Sequence, residues 1–133
     1  MTTRNTRMRD LLALSMANPT EPRIDAALAL YKQAGWELMG YTADDTLVGV
    51  LGIEVTDYGR GTIRHIAVDP AYRRRGIAAT MIQLAMHNLR IQHLRAEAGA
   101  DAVGFFRRLG CEVVSLGVGD DGVERFSCAW SPT

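Results

Sequence analysis

Lysine is almost missing from this sequence: of 15 basic residues only Lys32 is lysine, the rest being arginine, and 15 acidic residues balance them. With no net charge, the chain lacks the overall electrostatic footprint of a nucleic-acid or anionic-membrane binder. Cysteine is scarce as well. Cys111 and Cys128 stand far apart, and His65, His87 and His93 are scattered, so no metal-ligand spacing occurs and no metal is expected. No apolar run approaches the roughly 20 residues of a membrane-spanning helix. The polar start, Met1 to Arg7, has no signal-peptide pattern, so a cytoplasmic protein without a membrane partner is expected. Internal repeats and low-complexity linkers are absent too.

What is present is ordinary globular material, 133 residues of which 47% are hydrophobic and 23% charged. That length suits one domain over residues 1–133, with residues 1–6 polar and loosely held. Residues 7–17 are expected to form a first helix, closed by Asn18-Pro19. Thr20 caps a second, with Pro22 in its first turn and Ile24, Ala27, Leu28 and Tyr31 at the spacing of one helical face, running toward Gly35. Residues 36–42, 46–55 and 62–68 read as three strands of an antiparallel meander, the first turn at Asp44-Asp45 and the second over residues 58–61. A helix from Gly76, a strand over 92–98, a helix over 101–109 ended by Gly110, and two strands over 111–118 and 123–130 follow. Gly119-Asp120-Asp121-Gly122 joins the last two. The class is mixed α/β.

The chemistry concentrates between a strand and a helix. Ile66, Ala67 and Val68 end a strand; Arg73, Arg74 and Arg75 follow in a loop; Gly76, Ile77, Ala78 and Ala79 open a helix. A helix start leaves amide N–H groups without partners and carries partial positive charge, so anions bind there. Gly76 lets a phosphate reach the backbone with no Cβ in the way, Ala78 is nearly as small, and the arginines add charge. Taken alone, an arginine triplet beside a glycine favours a solvated loop with Gly76 only a helix entry residue. Neither a dinucleotide fingerprint nor a nucleotide P-loop occurs.

The segment from Ile66 through Ile82 resembles the acetyl-coenzyme A motif of the GNAT superfamily of N-acetyltransferases. Arg73, Gly76 and Ala78 fill its three defined places, and Val68, Pro70 and Tyr72 match the residues that precede it. Residues 96–110, with Phe105-Phe106, resemble the second half of that cofactor site. The likeness covers most of residues 46–130. It implies the GNAT fold: a central, mostly antiparallel twisted sheet with flanking helices, in which the strand ending near Val68 splays from the strand over 94–98. It implies further that pantetheine pairs with backbone near Ile66 and Val68, that the pyrophosphate rests on amides 74–79, and that Phe106 packs beside the cofactor.

Acetyl transfer needs a neutral amine, an oxyanion stabiliser and a proton for the leaving thiolate. The family often takes that proton from a tyrosine where this chain has Phe106, and its usual glutamate base corresponds to Thr62. Arg64 shares the face of Thr62 by alternation, and neither is a neutral-pH base. Glu54 and Glu97 remain as candidates, with Glu97 preferred because its strand borders the slot; an exposed strand carboxylate is the alternative for both. Alternation turns His65 away from Thr62 and Arg64, toward a structural role. The expected activity is acetyl transfer from acetyl-CoA to a primary amine of an unidentified small molecule, peptide or protein. The alternative is a module that holds acetyl-CoA with little or no transfer. No nucleic-acid partner is expected, since nothing resembling a recognition helix accompanies the arginines. The terminal strands are the expected place for a homodimer contact.

Overall fold

A computed structural model describes residues 3–57 and 59–131. Two helices open the chain, α1 (Thr3–Leu14) and α2 (Glu21–Leu30). Three strands follow, β1 (Trp36–Ala43), β2 (Thr46–Val55) and β3 (Arg60–Val68), then a 3₁₀ turn (Pro70–Tyr72) and α3 (Ile77–Asn88). The chain ends with β4 (His93–Gly99), α4 (Val103–Arg108), β5 (Glu112–Val118) and β6 (Glu124–Trp130).

The strands form one sheet in the order β1-β2-β3-β4-β6-β5. Every neighbouring pair is antiparallel except β3 and β4, whose parallel pairing requires a crossover, and α3 supplies it. Strand β2 is buried along most of its length because both faces are covered, which is why its sequence is a continuous apolar run. One core cluster lies on the α3 and α4 side, with Leu51, Ile53, Ile63, Met81, Ala85, Leu94 and Phe106. A second, with Leu11, Leu12, Leu47 and Val50, seats α1 on the other face.

Several boundaries differ from the sequence expectation. Helix α1 begins at Thr3, so residues 3–6 are helical, not loose; residues 1 and 2 lie outside the described residues. The sheet holds this helix down through Leu11 and Leu12, which are 1% and 0% exposed; tertiary packing rather than local propensity sets its extent. It ends at Leu14, and α2 ends at Leu30, each about one turn earlier than expected. Thr20 does cap α2, accepting from the Arg23 amide. Arg60 and Gly61 belong to β3 and not to the preceding turn, of which Tyr58 lies outside the described residues. Helix α4 is shorter than expected but closes at Gly110, whose φ is +93°. The Gly110 amide donates to Arg107 O and the Cys111 amide to Phe106 O, the paired bonds of a Schellman cap.

Candidate active site

The parallel ladder between β3 and β4 is short. It runs from Arg60 opposite His93 to Ile63 opposite Ala96, then stops. Beyond that point β3 stays paired with β2 as far as Val68, and β4 with β6 as far as Gly99. The two strands are therefore pulled apart by their outer partners, and the inner edges of both lack a strand partner among the described residues. A β-bulge sits where they part: Gly52 faces His65 and Ile53 faces Ile63, leaving Arg64 without an opposite residue. An extra residue bends a strand and tightens its twist, which turns β3 away from β4. The resulting cleft holds about 400 Å³ and is lined by Thr62, Ile63, Arg64, Arg95, Ala96 and Glu97.

Beyond β3 the chain makes the loop in which Arg73, Arg74 and Arg75 stand. Its entry is fixed by Asp69, whose carboxylate accepts from the Ala71 amide at 2.8 Å and from Arg7 at 2.7 Å. Those two bonds, the amide first and the guanidinium second, hold the Asp69 carboxyl below its ordinary pKa. Arg73 reaches back to Val68 O at 3.4 Å, and Arg75 lies over the Tyr72 ring at 4.9 Å. Arg74 and Gly76 both take left-handed backbone, with φ +65° and +73°. The first helical bond of α3 runs from the Thr80 amide to Gly76 O, and no side chain caps this helix. Among the described residues, the amides of 74–79 donate to no protein acceptor. A Cβ placed on Gly76 would meet nothing within 4 Å. Free amides, helix dipole and arginines thus converge on open space, a site suited to a diphosphate.

On the cleft itself, β4 alternates between buried Leu94, Ala96 and Ala98 and exposed Arg95 and Glu97. Glu97 lines the cleft and has no ion-pair partner among the described residues. Glu54, the other carboxylate considered, receives Arg64 at 2.7 and 3.1 Å and is thereby engaged. Arg64 also lies over the Trp36 ring at 5.5 Å. Phe106 is 3% exposed and packs within the core, edge-on to the half-buried Phe105 at 5.1 Å between centroids.

The direction of His65 departs from simple alternation. The bulge at Arg64 resets the period, so Ile63 and Ile66, three apart, both join the α3 side. His65 turns instead onto the face of α2, where its Nδ1 is in hydrogen-bond contact with Tyr31 Oη. Tyr31 caps the C-terminus of α2 and lies edge-on to both His65 and Trp36. Its hydroxyl passes over Gly52, where a Cβ would collide with it. Burial raises the Tyr31 phenol well above its usual pKa. Burial, then the Arg64 charge, lowers that of His65. In the sequence Tyr31 stands out only as an apolar helix position, and its separation from Gly52 and His65 carries no recognisable signal.

The profile of the Acetyltransferase (GNAT) family matches residues 7–111. No curated relative matches the chain by sequence. Among solved structures, an aminoglycoside 6′-N-acetyltransferase complexed with coenzyme A superposes with a TM-score of 0.81 at 13% identity, covering 99% of this chain and 96% of that one. The ribosomal-protein-S18-alanine N-acetyltransferase of Escherichia coli gives 0.76 at 18% identity, covering 100% and 92%. A GNAT family acetyltransferase from Elizabethkingia anophelis with acetyl-CoA bound gives 0.67 at 18%, covering 92% and 89%. These likenesses establish the fold, with its mostly antiparallel sheet and flanking helices.

Proposed function

The chain belongs to the GNAT family of acetyltransferases, and from that membership we propose that it moves the acetyl group of acetyl-CoA onto a primary amine of a small molecule, peptide or protein, as one domain over residues 1–133. The observation that carries this reading is the parting of β3 from β4 next to the uncapped start of α3. One feature offers a free strand edge and the other a row of free amides, and an elongated ligand with an anionic end fits both.

In this reading the amides of Arg74, Arg75, Gly76, Ile77, Ala78 and Ala79 hold the pyrophosphate, with Arg73 bracing the loop. The edge at Ile66, Ala67 and Val68 pairs with the pantetheine amides. Phe106 supports the wall from the core. The bound donor supplies an acyl carbon activated as a thioester. Backbone amides on the free edge of β3, just past the bulge, are the donors available to a developing oxyanion. Glu97 attracts the ammonium form of the acceptor into the cleft, and Arg64, held by Glu54, keeps the opposite wall in place. Family membership favours transfer over holding the donor without turnover. Cytoplasmic placement belongs to the same proposal and is supported by the unlinked Cys111 and Cys128.

Calorimetric titration with acetyl-CoA, paired with thiol release in the presence of amines, tests the reading. The amines are an alanine-initiated peptide, an aminoglycoside and a polyamine. Saturable binding and amine-dependent thiol release are expected. Absence of binding by the folded wild-type chain would refute it.

A further inference from the structure

Once the cofactor loop and Glu97 are assigned, a built polar pair remains without a use. Tyr31, the C-cap of α2, and His65 on β3 meet only in the tertiary fold, and three separate features bring them together. The bulge at Arg64 rotates His65 onto the α2 face. The missing side chain of Gly52 opens the path for the Tyr31 hydroxyl. Trp36, edge-on to Tyr31 and stacked by Arg64, closes the far side.

The position also matters. His65 lies two residues past Ile63, the last β3 residue paired with β4, and directly follows Arg64, which lines the cleft. On its β2 flank stand Gly52 and the Tyr31 ring; on its β4 flank the sheet has opened. Nδ1 is taken up by Tyr31, so Nε2 is the nitrogen left for a ligand.

We propose that His65 is the catalytic base of this acetyltransferase, accepting a proton from the acceptor ammonium at Nε2, with Tyr31 as the positioning residue that holds Nδ1–H. This inference rests on the transferase reading above. The imidazole takes one proton from the ammonium, leaving a neutral amine. The amine nitrogen bonds to the acyl carbon and the carbon–sulfur bond breaks. The second ammonium-derived proton moves from the newly bonded nitrogen to the thiolate, and His65 returns its own to solvent. The net products are the amide, the free thiol and one proton. Glu97, across the cleft, attracts the ammonium without taking its proton.

The charged groups around the imidazole are few. Tyr31 faces it from the C-cap of α2, Arg64 adjoins it on β3 and pairs with Glu54 on β2, and Arg95 and Glu97 line the cleft beside Arg64 on β4. Partial burial and, after it, the Arg64 charge both favour the neutral ring, which is the form a base requires.

Two measurements test the assignment. The first uses the free protein. Nitrogen-15 imidazole shifts should identify the Nδ1–H tautomer of His65 and a pKa below that of an ordinary histidine, both altered in Tyr31→Phe. An Nε2–H tautomer would overturn the proposal, because that nitrogen would have no lone pair. The second uses the acceptor panel named above with acetyl-CoA. His65→Gln should lower kcat roughly 100-fold or more at neutral pH, leave acetyl-CoA binding unchanged, and remove the acidic limb of the kcat/KM profile. Tyr31→Phe should displace that limb, and Glu97→Gln should raise KM while keeping it. Wild-type turnover that His65→Gln leaves intact, or a limb lost in Glu97→Gln instead, refutes this inference and spares the transferase reading. Donor binding by wild type with no turnover of any amine refutes both.

Discussion

The two halves of the proposed site are built from different materials. On the α3 side, the loop bearing Arg73 to Gly76 presents backbone amides, and its ligand-facing groups come from consecutive residues. On the α2 side, Tyr31, Trp36, Glu54, Arg64 and His65 are side chains gathered from the C-cap of α2 and from β1, β2 and β3, assembled around a bulge. A backbone cradle needs little beyond small residues and the right local turn. A side-chain cluster needs the whole sheet to be correct first.

That contrast predicts how each half breaks. Gly76→Glu should have the largest effect, weakening acetyl-CoA binding by on the order of 100-fold, about 2.7 kcal/mol. The carboxylate would project into space that is open in the protein, where the proposed diphosphate would sit. Circular dichroism should remain unchanged, while calorimetry reports the loss; full affinity would mean that the diphosphate binds elsewhere. Next comes Gly52→Ala, which should destabilise the fold by about 1–3 kcal/mol because the new methyl collides with the Tyr31 hydroxyl. Urea denaturation measures that cost, and the same variant should shift the His65 titration while leaving acetyl-CoA affinity untouched. An affinity loss equal to that of Gly76→Glu would mean that the two halves are one unit.

A smaller effect is expected at Asp69. Its carboxyl is depressed by the Ala71 amide first and by Arg7 second, so its folded pKa lies below its unfolded one. The unfolded state then binds more protons in that window. The contribution of Asp69 to stability is present above the unfolded carboxyl pKa and disappears as pH falls through the folded one. Asp69→Asn should lower the melting temperature at neutral pH, where that contribution is present, change little at acid pH, and so flatten the pH dependence of the melting temperature between them. Smallest of all is Arg75→Ala. Its guanidinium is engaged partly on the Tyr72 ring, and a loss of about three-fold in acetyl-CoA affinity, fading at high salt, is expected. A loss as large as that of Gly76→Glu would mean that arginine charge, more than the backbone amides, holds the diphosphate.

Legibility followed the same division. The loop was readable because Arg73, Gly76 and Ala78 sit within a few positions of one another, and small residues at a helix start have a local physical meaning. Thr20, Gly110 and the Gly119 to Gly122 hairpin were readable for the same reason. The direction of His65 was not. Alternation along β3 holds only while each residue has one partner, and the extra residue at Arg64 is defined by its register against Gly52 and Ile53. The start of α1 was also missed, since it depends on packing against β2 rather than on its own composition.

By itself, then, the sequence determined the order of elements, the caps at Thr20 and Gly110 and the hairpin at Gly119 to Gly122, and the small residues that open α3, all of which depend on residues within a few positions of one another. Tertiary structure alone decided where β3 and β4 part, that Arg64 is a bulge, and that Tyr31 meets His65 above Gly52. Those outcomes depend on pairing between segments far apart in the chain, and no local pattern in β3 encodes the partner that sets its register.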